Sequence, residues 1–213
     1  MKSIMTSVSP YLCEKIANGD CKILVKKSAP KEVPFKAYIY ATKPKRFYKC
    51  GAVSTSNELL WLANGKVEMG DGFKFWADGD EYQCLNGRVI GEFVCNEVEE
   101  FHEWELSPQG KFSDFEEERL EKFLTDACLS VEEIVQYRKN LIYCKPLYGL
   151  HISDLKIYDK PKDLSEFNRP CTYKGLCFSC DRSVFASNGD IVCKPTIIRP
   201  PQSYMYVEEI KER

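Results

Sequence analysis

Four cysteines carry the spacing best suited to chemistry: Cys171-x5-Cys177-x2-Cys180-x12-Cys193. Two thiolates two residues apart on a tight turn can share one tetrahedral ion, and Cys171 and Cys193 flank the pair at distances that allow a four-thiolate site. The loop between them has few apolar residues, so a structural Zn2+ ion would account for its order. Reduced thiols in a plain loop are the alternative.

A second group is basic and aromatic. Lys22, Lys26, Lys27, Lys43, Lys45 and Arg46 interleave with Tyr38, Tyr40, Phe47 and Tyr48. Cations neutralise phosphates and aromatic faces stack on unpaired bases, so this mixture suits a nucleic-acid groove. Aromatics alternating along a strand equally suit a core. Between Asp20 and Cys50 nine Lys/Arg stand against two Asp/Glu; between Glu92 and Glu133 fourteen Asp/Glu stand against three Lys/Arg. The first block can attract phosphate and the second can dock a basic partner, while both can also be solvated faces.

These groups sit in a chain of 213 residues with 44% apolar and 13% aromatic residues, enough for a packed core without a staple. Its net charge of −2 argues against a dedicated DNA-coating protein. No stretch reaches the ~20 apolar residues of a membrane span, so no membrane association is expected. Met1–Ser9 lacks the apolar core of a secretory signal, and the eleven cysteines are odd in number and scattered. Together these features predict reduced thiols and a cytoplasmic protein.

The positioning elements are short and mixed. Ser3–Ser7 reads as a strand, and Ser9-Pro10 opens a helix that Gly19 closes. Cys21–Lys27 and Phe35–Thr42 read as strands, and Leu59–Met69 as a hairpin turning at Asn64-Gly65. Gly87–Glu99 reads as one long strand. Ser113 caps a helix over Asp114–Ala127, and Ser130-x-x-Glu133 is a capping box for another with Leu141 and Ile142 inward. Leu150–Tyr158 and Ser203–Ile210 read as strands, with a helical turn at Asp163–Phe167. The pattern predicts an α+β fold: one domain over 1–213, a mixed β-barrel with peripheral helices, insertions at about 50–82 and 101–145, and the cysteine-bearing loop 171–193.

Several stretches together resemble ASCH domains of the PUA-like superfamily, as a diverged bacterial or phage member. They are the opening Ser3–Pro10 with Asn18-Gly19 leading into a basic strand, Ala29-Pro30-Lys31 before Pro34–Tyr40, and Gly87–Phe93. Tyr148-Gly149-Leu150-His151-Ile152-Ser153 is similar to that family's Tyr-Gly-Trp-His-Ile-Ser, and Pro200-Pro201-Gln202-Ser203-Tyr204 to its Pro-Pro-Gln-Ser-Trp. The resemblance implies a PUA-like barrel whose cleft takes RNA or a nucleotide-like small molecule, with His151 and Gln202 placed to meet a base edge. The family's Gly-x-Lys-x-x-Glu-x-Arg falls on Gly19–Lys26, where Cys21 replaces the reactive lysine and Leu24 the acid. The resemblance thus implies a binding module without the hydrolase chemistry. A hydrolase of acylated cytidine or RNA, with Cys21 as nucleophile opposite His151, stays open. So does a phage-encoded protein-interaction or inhibitor module that uses the acidic segment.

Elemental analysis of protein purified without chelator should find one zinc per chain. Cys177→Ser or Cys180→Ser should lower that content sharply, because three thiolates must recruit water as the fourth ligand.

Overall fold

The computed structural model describes residues 1–43, 47–49, 52–54, 58–62, 66–70, 82–102, 114–138, 145–170, 183–185, 191–193 and 196–210. In chain order the elements begin β1 (Lys2–Val8), α1 (Pro10–Ala17), β2 (Ile23–Lys26), β3 (Phe35–Ala41), β4 (Phe47–Lys49) and β5 (Ala52–Ser54). Next come β6 (Glu58–Leu62), β7 (Val67–Gly70), β8 (Tyr82–Cys84), β9 (Val89–Cys95) and β10 (Val98–Phe101). The helices α2 (Asp114–Ala127) and α3 (Val131–Arg138) follow, then β11 (Leu147–His151) and β12 (Ser153–Lys162). A 3-10 turn (Leu164–Glu166), β13 (Ser183–Phe185), β14 (Ile191–Cys193) and β15 (Tyr204–Val207) complete the order. No helix among the described residues is long and apolar enough to cross a membrane.

Two sheets organise the molecule. One has five strands in the order β12-β9-β3-β1-β15, with β1 and β3 parallel and the other pairs antiparallel. The other is β10-β11-β2. Alternation along the strands sorts their side chains into layers. Ile4, Val8, Phe35, Ala37, Ile39 and Phe93 face inward and meet Leu24 and Leu150 of the small sheet, with Cys13 and Ile16 of α1, in the main core. The opposite face of the large sheet carries Met5, Tyr38, Tyr40 and Val89 beneath Phe167 and Ile197. The outer face of the small sheet carries Ile23, Val25, Phe101 and Leu147 beneath Phe123 and Ala127 of α2 and Ile134 of α3. There the Phe101 and Phe123 rings stack at 3.7 Å.

The fold is α+β and dominated by sheet, as expected, and the first and last strands are neighbours: Ser3 pairs with Val207 and Thr6 with Tyr204. The described pairings leave β12 and β15 at the two edges of the large sheet, so they do not close it into a barrel. Instead, the chain passes from one sheet to the other at a shared corner. The expected long strand Gly87–Glu99 breaks at Asn96 into β9 and β10, and the expected strand Leu150–Tyr158 breaks at Ile152 into β11 and β12. Asn96 Nδ2 donates to Ser153 Oγ at 2.9 Å, and Ser153 Oγ donates to the Val94 carbonyl at 2.8 Å, which holds the corner.

Local signals fared well where the chain supplies its own partners. Ser9 Oγ accepts from the Leu12 amide, and Ser130 and Glu133 exchange side-chain-to-backbone bonds at 2.9 and 3.2 Å. β6 and β7 pair as the expected hairpin. Both pack on α1, and β7 is bonded to that end of the chain by Asn18 Nδ2 donating to the Val67 carbonyl and by the Met69 amide donating to Glu14 Oε1. The Asn64-Gly65 turn, the Ser113 cap, Leu141 and Ile142 lie outside the described residues.

Gly149, in the middle strand of the small sheet, sets how close α2 can come. A Cβ there would lie 2.7 Å from Phe123 Cε2 and 2.9 Å from Ile23 Cγ2. Gly149→Ala should therefore lift α2 off the sheet and lower the unfolding free energy by ~1–3 kcal/mol, read as a shift of the denaturant midpoint.

Candidate functional site

The Pro-Pro-Gln-Ser-Tyr element is fastened to the end of β1. The Ser7 hydroxyl donates to the Pro201 carbonyl at 2.6 Å, and the Thr6 hydroxyl and Ser7 amide donate to the Ser203 carbonyl at 3.1 and 3.2 Å. Across the seam Ser28 and Ser203 hydroxyls meet at 3.3 Å, and the Tyr204 hydroxyl donates to the Ala29 carbonyl. On the far side, the Gly87 amide donates to the Ala41 carbonyl and Asn86 Nδ2 to the Thr42 carbonyl. Gly87 has φ +80°, and the Lys43 side chain lies where its Cβ would be, so only glycine suits this turn.

Between these walls is an open cavity of about 400 Å3 on the outer face of the large sheet. Ser7, Tyr40 and Thr42 form its floor, Lys43 one rim, and Leu164, Ile198, the two prolines and Gln202 the other side. Tyr40 is buried, whereas Ile198 is 82% exposed, an unusual position for isoleucine. Arg88 lies beside this wall, paired with Asp163 at 3.5 Å.

Three expected site residues, Tyr40, Lys43 and Gln202, thus converge. Lys26 stands behind them. Its ammonium donates to the Ser7 carbonyl, at the sheet edge where β15 has already ended. Alternation along Cys21–Lys27 predicts an outward lysine, yet Lys26 is only 6% exposed. Loss of water pushes its pKa down to about 8, with the Cys13 thiol opposing the fall.

The other expected residues go elsewhere. Lys22 pairs with Asp126 of α2 at 3.3 Å, and Lys27 lies over the Tyr137 ring of α3 at 4.9 Å. His151 does not meet Lys26. The register pairs Lys26 with Tyr148 and His151 with Ile23, which places their side chains on opposite faces of the small sheet. On its own face, His151 Nε2 is 3.5 Å from Glu99 Oε2, while Arg119 grips Glu99 Oε1 at 3.0 and 2.8 Å.

Cys21, the alternative nucleophile, lies in an environment that favours the thiol over the thiolate. It is buried, its thiol faces the Ile23 and Ala127 carbonyls, and burial pushes its pKa up to about 12. Lys45, Arg46, Cys171, Cys177 and Cys180 lie outside the described residues, and Cys193 is described only as the end of β14. Among the described residues no three His, Cys, Asp or Glu side chains are grouped to hold a metal. Ser7, Thr42, Gly87, Leu164 and Ile198 were not expected in the site. Only the glycine, as a turn residue, carried a signal of its position.

No protein-family profile and no curated protein matches the chain. Among solved structures it is similar to ASCH from Zymomonas mobilis, at 14% identity and a TM-score of 0.48, over 98% of this chain and 89% of that one. A mutant of the same protein gives 13% identity and a TM-score of 0.48 over 98% and 89% of the two chains. The N-terminal domain of Staphylothermus marinus McrB gives 13% identity and a TM-score of 0.35 over 77% of each.

The buried lysine has a measurable cost. Below pH 8 the amine is charged in both folded and unfolded chains, and the full penalty is carried. Between pH 8 and 10.5 the folded chain sheds a proton that the unfolded chain keeps, so stability from this residue rises with pH. The depression corresponds to ~3 kcal/mol, offset by ~1 kcal/mol for the bond to Ser7. Lys26→Met should therefore stabilise the protein by ~1–2 kcal/mol at pH 7 in denaturant titrations, and the gain should vanish by about pH 10. A variant less stable at pH 7 would show that the Ser7 bond outweighs burial.

Proposed function

We propose that the cavity between Ser7, Lys43 and Gln202 binds single-stranded RNA or a nucleotide-like ligand, and that the protein acts as a binding module. The observation that carries this reading is the pairing of an apolar wall with polar groups around one opening. Leu164, Ile198, Pro200 and Pro201 offer a surface for a base, Lys43 a cation for phosphate, and Gln202 an amide that can both donate and accept. The volume of about 400 Å3 falls in the usual range for small-ligand sites. Lys45 and Arg46 follow Lys43 within three residues of sequence and carry the same charge.

The basic block supports a narrower electrostatic role than its +7 excess suggests. Lys22 and Lys36 are tied to Asp126, Glu92 and Glu209. The same pairs, with Arg119 on Glu99, engage part of the acidic segment inside the molecule. That weighs against this segment as a free docking face.

The test is fluorescence anisotropy with a labelled single-stranded oligoribonucleotide and a mononucleotide competitor. Lys43→Glu should weaken binding by roughly tenfold at low salt and by less at high salt, because screening already reduces the charge contribution. Gln202→Ala should weaken it by roughly threefold at both. Affinity that neither variant changes would place the ligand elsewhere.

A further inference from the structure

A second cavity, of about 340 Å3, opens on the same face of the large sheet, and the function proposed above does not use it. Strand parity sets its floor. Lys36 shares the outward-facing row of β3 with Tyr38 and Tyr40, and Glu92 of β9 stands opposite Tyr38. Tyr158 of β12 completes the floor, and Lys156, Lys162, Glu209 and Ile210 line the rest. The polar groups of this floor hold one another in place. The Lys36 and Glu92 side chains are only 18% and 19% exposed, and Tyr158 is buried. The Tyr158 hydroxyl donates to Glu92 Oε2 at 2.6 Å, while Lys36 Nζ lies 3.3 Å from Glu92 Oε1 and 2.7 Å from Glu209 Oε1.

Three ammonium groups thus meet two carboxylates. Glu92 is engaged by Tyr158 and Lys36, and Glu209 by the same Lys36, so Lys156 and Lys162 carry the excess positive charge. Lys162 Nζ lies 5.2 Å from the centre of the Tyr158 ring, and Lys156 is exposed. Flexible point charges of this kind suit phosphate oxygens. The register ties this cavity to the first. Tyr40, on the floor of the first, pairs with Val89, and Val89 pairs with Lys162. Two strand spacings of ~4.8 Å put the Tyr40 and Lys162 backbones about 10 Å apart. Lys162 lines one cavity and Leu164 the other, and Asp163 between them is paired with Arg88.

We propose, resting on the binding function above, that this second cavity takes a backbone phosphate of the same RNA strand whose base enters the first. The ligand is then an oligonucleotide rather than a single nucleotide. Lys156 and Lys162 hold the phosphate oxygens, Lys36 lies beneath as a fixed positive charge, and Arg88 stands along the way. A mononucleotide carries its one phosphate next to its base and meets only Lys43. A strand offers phosphates in series, and a later one falls within reach of the second cavity. Once the base is seated, the second contact is made within one complex, which raises affinity without a tighter contact at either point.

The experiment uses the full chain. Anisotropy follows a labelled single-stranded oligoribonucleotide of mixed sequence over a series of salt concentrations, and adenosine and uridine monophosphates are measured by competition. Lys156→Gln with Lys162→Gln should lower the ratio of oligonucleotide to mononucleotide affinity roughly tenfold, because the two-point attachment is lost. The log–log salt slope should fall by about 0.7, the share of one phosphate in a single strand. Lys122→Gln with Lys145→Gln removes the same charge from α2 and from the approach to β11, and should keep the original ratio. Lys156→Arg with Lys162→Arg should retain most of the affinity. If the β12 pair leaves ratio and slope unchanged, or acts no more than the Lys122 and Lys145 pair, while Lys43→Glu still weakens binding, this proposal is overturned and the binding function stands. If Lys43→Glu and Gln202→Ala leave binding intact while the β12 pair abolishes it, the function proposed above fails, and the link between the cavities fails with it.

Discussion

The architecture around the cavity depends on how one carbonyl is satisfied. β1 is flanked on one side by β3 for its whole length, but on the other side β15 begins only at Tyr204, opposite Thr6. One residue further on, Ser7 has an amide and a carbonyl with no strand beside them. A buried backbone polar group cannot be left unpaired without loss of stability. The Ser203 carbonyl takes the amide and the Lys26 ammonium takes the carbonyl. Those two contacts bring the Pro200–Tyr204 element, the end of β2 and the floor of the cavity to one place. A lysine in the interior, held at a lowered pKa, is the consequence of ending a strand early.

The second constraint is the corner at Asn96 and Ile152. Two strands leave the large sheet and enter the small one side by side, so the sheets are joined covalently twice at one edge and by core packing across their faces. A polar residue and a serine hydroxyl suffice to turn the chain there. The layers that result place α2 far from the cavity, which is why His151, Glu99 and Arg119 form a cluster of their own rather than part of the opening.

Elements whose signals are local were legible in the sequence: the Ser9 and Ser130 caps, the hairpin of β6 and β7, the aromatic strand β3. The joining of first and last strands was legible from family-like motifs at both ends. The corners were not, because Asn96 and Ile152 interrupt apolar runs that read equally well as continuous strands, and only the partner sheet decides where each run changes allegiance. The burial of Lys26 was not, since its partner is a backbone carbonyl, which has no sequence signature. Tyr40, Lys43 and Gln202 were picked out individually. That they meet, while Lys22, Lys27 and His151 do not, follows from strand parity and register, and a shift of one residue along β2 reverses the face.

The bonds that build the cavity wall join residues near 7 to residues near 201, a separation of about 194 positions. Contacts so distant in the chain form only after long loops have closed, and their entropy cost slows the approach to the folded state. The hairpin of β6 and β7 can assemble from neighbours in sequence, and α2 with α3 likewise. The cavity has no such early form. During synthesis its floor would be laid down within the first forty or so residues and would wait, edge exposed, for the Pro200–Tyr204 element to leave the ribosome. Any competence that resides in this opening is acquired last, in a single late event, and a chain halted before that element would present an unpaired β1 edge in its place.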